Sequence, residues 1–133
     1  MEYLRRTFVC KNQIKKGLSG VKEALNYMEK NYSVALMVDQ RVSEGSSIFF
    51  FNKEAYTTTL PAQLAIRFNC KIIPIYIARD QNDNFEMEIL NPIQITENMK
   101  KDKELISKKI NSILEDLILR DPSQWILTHN RWK

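Results

Sequence analysis

Asp39-Gln40-Arg41 follows directly on the short apolar run from Val34 to Val38. In open α/β sheets the loops beyond strand ends collect catalytic groups, because loops and helix amino termini converge there. A carboxylate next to a guanidinium can orient a polar substrate or hold a catalytic base, although aspartate at a strand end is also a common turn residue. Glu44 and Gly45 extend the loop, and Gly45 is expected to permit a positive φ. His129 is the sole histidine. As a general base it would want a nearby carboxylate; none lies in its local sequence, so a structural place in the tail is the simpler reading. Trp125 and Trp132 either stack on a ligand or staple that tail to the body. Cys10 and Cys70 lack C-x-x-C spacing, so no metal site is expected and both read as reduced cytosolic thiols. The sequence contains no G-x-x-x-x-G-K, G-x-G-x-x-G or G-x-S-x-G, which removes the commonest nucleotide-binding and serine-hydrolase readings.

Such residues must be positioned by a scaffold, and the apolar periodicity outlines one. Leu18, Val21, Leu25 and Met28 recur at helical spacing over residues 19–30, with Gly17 and Ser19 as start signals. Val34 to Val38 reads as a strand buried on both faces, and Ile48 to Phe51 as a second strand beyond the loop of residues 41–47. Thr57-Thr58-Thr59 with Pro61 marks the start of a helix carrying Leu60, Leu64, Ala65 and Phe68 and ending near Asn69. Residues 71–78 form a strand candidate in which Pro74 argues for an end, an edge or a bulge. The turn-rich stretch 80–84 then suggests a hairpin with residues 85–90. A last helix over residues 102–120 aligns Leu105, Ile106, Ile110, Ile113, Leu114 and Leu117 until Asp121-Pro122 stops it. The class is therefore α/β, with helices packed on a mixed, largely buried sheet. The chain opens almost directly into a middle helix and looks like half of a larger domain.

Composition sets the outer bounds. With 133 residues, 44% of them hydrophobic, the chain holds one domain or part of one, and its apolar runs are far shorter than the roughly 20 residues that cross a bilayer. The net charge is +4. Arg5, Arg6, Lys11, Lys15, Lys16, Lys22 and Lys30 face only Glu2, Glu23 and Glu29 in the first thirty residues, so the amino-terminal section is the cationic one. That charge suits nucleic acid, anionic lipid or phosphorylated substrates, with a solvated helix face as the plainer reading. An RNA-binding sheet would interleave aromatics with Lys or Arg, whereas Phe49 to Phe51 lead into mixed charge, so no nucleic-acid partner is expected.

Four blocks in order carry a family resemblance: residues 35–45 (ALMVDQRVSEG), residues 50–65 (FFNKEAYTTTLPAQLA), Ile73-Pro74-Ile75-Tyr76 with Arg79, and residues 124–133 (QWILTHNRWK). Together they resemble the late lauroyl/myristoyl acyltransferases of lipid A biosynthesis. The resemblance implies the fold of the carboxyl-terminal half of a glycerolipid or lipid A acyltransferase. It also implies an enzyme at the cytoplasmic face of the bacterial inner membrane. That enzyme moves a fatty acyl chain from acyl carrier protein or coenzyme A to a hydroxyl of a phosphorylated glycolipid acceptor, with the acyl thioester as donor and no cofactor.

In that family a histidine and a carboxylate in an H-x4-D/E pair deprotonate the acceptor hydroxyl. Only four residues, none acidic, follow His129, so the pair is absent from this sequence. The family places it, with a membrane anchor, upstream of the matched blocks. Residues 1–133 are therefore expected to be the carboxyl-terminal part of one acyltransferase domain, inactive alone, left by a truncated gene, by a split gene whose amino-terminal half acts in trans, or by an assembly artefact. The resemblance assigns Asp39 a supporting catalytic role and puts Gln40 and Arg41 in its substrate-binding loop. Lys15 and Lys16 would face the phosphorylated acceptor. Pro74 would shape the strand beside the acyl groove. Thr58 and Thr59 would present a helix amino terminus to an anionic or carbonyl oxygen or simply cap it, and His129 and Arg131 belong to the terminal block of the same binding set. Acyl carrier protein, the glycolipid and the membrane surface are the implied partners. A non-catalytic α/β module that binds a ligand or protein partner is the alternative.

Overall fold

Punctuating residues set most element boundaries in the computed structural model, which describes residues 2–8, 10–15, 17–42, 45–126 and 130–132. The chain divides into two compact units, Met1–Ala35 and Leu36–Lys133. The first contains helices α1 (Glu2–Phe8) and α2 (Leu18–Glu29). Gly17 precedes α2 at φ 95°, a conformation that only glycine takes without strain. Gly20 and Ala24 are the buried residues of α2, while the bulkier Val21, Leu25 and Met28 are half-buried and Leu18 is exposed. The reason is a close approach: a Cβ on Gly20 would lie 1.7 Å from the Lys15 carbonyl oxygen. Asn31, left-handed at φ 61°, ends the helix.

The second unit opens its regular structure with the antiparallel hairpin β1 (Ser46–Phe50) and β2 (Lys53–Thr57). Ile48, Phe50, Ala55 and Thr57 face inward and are buried, the two-residue period of a half-buried strand pair. Phe51 and Asn52 connect the strands with φ of 48° and 58°, as a type I′ turn requires at both central positions. Asn tolerates this; Phe does not without support. The Phe51 N–H donates to Glu115 Oε1 at 2.8 Å and its ring packs against Phe50. Helix α3 (Leu60–Phe68) follows, with Pro61 in its first turn and Asn69 closing it at φ 47°.

Helix α4 (Lys103–Arg120) begins at Asp102, whose carboxylate accepts the Glu104 N–H at 2.8 Å. Its inward face joins Ile106 and Ile110 to Ala62 of α3 and to Ile93, with Val38, Ile72, Ile113 and Leu114 packed around them. Each buried isoleucine contributes about 1.5–3 kcal/mol relative to exposure.

A second hairpin pairs β3 (Ile75–Arg79) with β4 (Phe85–Ile89). Pro74 lies just ahead of β3 and its carbonyl accepts the Leu90 N–H at 3.0 Å, so the proline stands at a strand start where no donor is lost. The turn is tied by Asp80, whose carboxylate takes N–H groups of Asn84 and Asn82. Its pKa lies below the usual carboxylate value, chiefly through the Asn84 side chain. The Gln124 side chain accepts from the Arg79 N–H and donates to the Arg79 carbonyl, adding a rung to the edge of β3. Arg120 pairs with Glu88 and lies over Tyr76.

The α/β class stands, but its sheet is not the expected single, largely buried one. Two separate two-stranded antiparallel sheets form, and residues 34–38 run without strand pairing. An apolar run becomes a central strand only where strands lie beside it to accept its ladder bonds, and among the described residues none pairs with this run. The hairpin β3–β4 likewise shows Ile75, Ile77, Phe85, Met87 and Ile89 between 51% and 70% exposed. In a lone antiparallel pair these positions share one face.

That face should make the purified chain bind hydrophobic dyes and self-associate. Replacing the cross-strand partners Ile77 and Met87 with Lys and Glu should lower dye fluorescence and shift sedimentation toward monomer, with a melting temperature within a few degrees of the parent. A collapse of the melting transition would show instead that this face is packed in solution.

Candidate functional site

Arg131 is 1% exposed, the largest fully buried side chain among the described residues. It lies against the inward face of β1–β2, its guanidinium carbon 3.9 Å from the centroid of the Phe50 ring, at the contact distance of a cation–π pair. One terminal nitrogen donates to Thr57 Oγ1 at 3.2 Å and to Asn111 Oδ1 at 2.8 Å; the other donates to the Asp39 carbonyl at 3.1 Å. Asn111 in turn donates to Thr57 Oγ1 and to the Phe49 carbonyl, and the Thr57 hydroxyl donates to the Ala55 carbonyl. The Thr57 oxygen thus accepts twice and donates once, its full capacity. The Arg131 carbonyl takes the Tyr56 N–H.

Among the described residues Arg131 forms no ion pair, and its Nε has no partner. Burial pushes its pKa down to about 10, with Asp39 and Glu115 opposing the drop at longer range. The group remains a cation at neutral pH. Its tail is fixed by aromatics: Trp132 stacks on Phe50 with centroids 5.9 Å apart and donates Nε1–H to the Phe50 carbonyl, while Trp125 meets the same ring edge-on. Of the two readings of these indoles, the staple is the one the structure shows.

The Asp39-Gln40-Arg41 loop is therefore anchored by main chain. Asp39 gives its carbonyl to Arg131, and among the described residues its carboxylate accepts no hydrogen bond; Asp39 and Gln40 are half-buried at a bend. Arg41 is exposed and lies over the Tyr56 ring, 5.8 Å from its centroid. Thr58 and Thr59 follow β2 directly and are engaged locally: Thr58 Oγ1 accepts the Leu60 N–H at 3.3 Å, and Thr59 Oγ1 accepts from Gln63 Nε2 at 2.7 Å. Pro61 carries no N–H, and the N-cap residue Thr59 makes no side-chain capping hydrogen bond.

Asp39, Arg41, Tyr56, Thr57 and Arg131 are thus brought together at the end of β2, with Thr58 and Thr59 next in the chain. Pro74 is at the other hairpin. Lys15 is exposed in the first unit. Lys16, Glu44 and His129 lie outside the described residues. Gly45 departs from expectation. It has no positive φ; a Cβ there would come within 2.7 Å of the Thr57 carbonyl oxygen, so the glycine is needed for close approach to β2. Sequence reasoning missed Thr57 and Asn111. Their signal was present as an amide inside the apolar stripe of α4 and a hydroxyl in phase with Ala55 on β2. Glu115, which supports the strained Phe51 turn, gave none.

The family model for bacterial lipid A biosynthesis acyltransferases matches residues 5–133 of the chain. No curated protein matches it.

Arg131→Met should lower stability by about 2–4 kcal/mol, because it strands the buried Asn111 oxygen and strips the Thr57 hydroxyl of one donor. Asn111→Leu should cost about 1–3 kcal/mol. The double variant should fall short of the sum by at least about 1 kcal/mol, since the second change removes a group already orphaned. Urea unfolding of the four proteins measures this; additive losses would mean that the two side chains are not coupled. Gly45→Ala should lose about 1–3 kcal/mol through overpacking against Thr57.

Proposed function

Because the chain belongs to the bacterial lipid A biosynthesis acyltransferase family, we propose that its second unit supplies the acceptor-binding loop of an acyl transfer to a lipid A precursor. The match over residues 5–133 carries this reading. The loop anchored through the Asp39 main chain, whose carboxylate accepts no hydrogen bond among the described residues, supports it.

The donor is an acyl thioester of acyl carrier protein or coenzyme A, and the acceptor a hydroxyl of a phosphorylated glycolipid at the cytoplasmic face of the inner membrane. A histidine paired with an acid takes the hydroxyl proton. The acceptor oxygen then attacks the thioester carbonyl, the C–O bond forms, the C–S bond breaks, and the released thiolate regains a proton. The H-x4-D/E pair is placed in an amino-terminal segment upstream of residues 1–133, which act as the carboxyl-terminal part of the domain. Asp39 holds the histidine or a polar group of the acceptor by a charge-assisted hydrogen bond. Gln40 and Arg41 bind the phosphorylated sugar; Pro74 shapes the strand beside the acyl chain, and the helix start at Thr58 and Thr59 faces the thioester oxygen. Arg131 acts through the loop as a positioning residue, and His129 belongs to the same terminal block.

Acyl transfer assayed with acyl carrier protein as donor should be undetectable for the chain alone and appear when a polypeptide carrying the histidine–acid pair is added. Asp39→Asn should then lower the rate by at least about tenfold with the melting temperature nearly unchanged, because the main-chain contact to Arg131 survives. Turnover by the chain alone that His129→Ala abolishes would overturn the division of labour.

A further inference from the structure

The hydrogen-bond ladder of the β3–β4 hairpin determines which main-chain groups it leaves over. In an antiparallel pair, hydrogen-bonded and non-hydrogen-bonded residue pairs alternate. The Leu90 N–H donates to the Pro74 carbonyl at one end and the Asp80 N–H donates to the Asn84 carbonyl at the other. In the register between them Tyr76 therefore bonds Glu88 and Ala78 bonds Glu86. Ile75, Ile77 and Arg79, and Ile89, Met87 and Phe85 opposite them, turn their N–H and C=O groups outward to the two edges. Those edges differ. On β3 the Gln124 side chain already takes both groups of Arg79. On β4, which pairs only with β3 among the described residues, nothing described takes the outward groups of Phe85, Met87 and Ile89.

The side chains of β4 specify what fits beside it. Phe85, Met87 and Ile89 share the exposed apolar face with Ile75 and Ile77, and Glu86 and Glu88 point to the opposite face. A second copy is a poor match, because antiparallel pairing of two β4 strands in full register sets Glu86 of each opposite Glu88 of the other, and like charges directly opposite repel. We propose that β4 is an acceptor for strand addition: an extended protein segment with alternating apolar and basic side chains pairs along its outer edge. Main-chain bonds to Phe85, Met87 and Ile89 supply affinity, and the alternation supplies selectivity. The apolar side chains of the added segment extend the exposed face, and its basic side chains stand opposite Glu86 and Glu88. Strand addition is measured without acyl transfer and does not rest on it, so the two readings fail separately.

Fluorescence anisotropy of the full chain with a labelled, end-blocked peptide alternating valine and lysine reads the addition. Binding should saturate, fall on raising salt, and be at least about tenfold weaker for a peptide alternating valine and glutamate. Residues directly opposite Phe85, Met87 and Ile89 must be the valines, with their N–H groups facing β4. Methylating the valine amides should therefore abolish binding, and methylating the lysine amides should leave it unchanged. Met87→Pro removes one outward N–H and leaves the bonds to β3 in place, so it should weaken binding at least about tenfold with the melting temperature within a few degrees of the parent. Glu86→Lys should weaken it about threefold or more, while Glu54→Lys on the other hairpin should not change it. The methylated peptides test the same bonds on the unaltered protein, so the result does not depend on how well Met87→Pro folds. Absence of saturable binding, equal binding of the valine/glutamate peptide, or indifference to methylation of the valine amides would each overturn the proposal.

Discussion

The second unit depends on a buried guanidinium. Arg131 reaches three parts of the chain that are distant in sequence: the Asp39 carbonyl, Thr57 on β2 and Asn111 on α4. Bringing a cation inside is unfavourable unless its donors find acceptors, and here both terminal nitrogens do while the Phe50 ring faces the charge. The planar guanidinium reaches its three acceptors from two separate nitrogens while its face lies over the Phe50 ring, whereas a lysine ammonium would offer its three donors from a single atom. The tail that delivers the arginine is fastened on either side by Trp125 and Trp132, so aromatic packing holds the cation in place and the cation ties the hairpin, the helix and the loop.

How much of this was legible follows from range. Helices α2, α3 and α4 and the turn of β3–β4 are announced by local signals, namely Gly17, Pro61, Asn69, Asp102 and the run 80–84, and each acts within a few residues of itself. The β2 strand is announced less well, because its turn uses a phenylalanine at positive φ whose N–H is held by Glu115, far along the chain. Residues 34–38 show the opposite failure: the apolar run is real, but strand pairing is a property of neighbours and cannot be read from one segment. The site divides along the same line. Asp39, Gln40 and Arg41 are visible as a polar cluster after an apolar run, whereas the role of Arg131 depends on Thr57 and Asn111 and becomes visible only when the three meet.

The two units also differ in what they leave exposed. The second carries thirteen basic and thirteen acidic residues and shows spare apolar surface on the β3–β4 hairpin; the first carries seven basic and three acidic residues and exposes Tyr3, Leu4 and Phe8 on α1.

The anchoring of Asp39 separates structure from chemistry at one residue. Its main-chain carbonyl is used by the scaffold. Among the described residues its carboxylate accepts no hydrogen bond, and its charge acts on the Arg131 guanidinium at longer range. A buried, charged residue thus fixes the path of a polar loop through its main chain: Arg131 sets where the Asp39 side chain starts and leaves the carboxylate outside the hydrogen-bond network of Thr57 and Asn111.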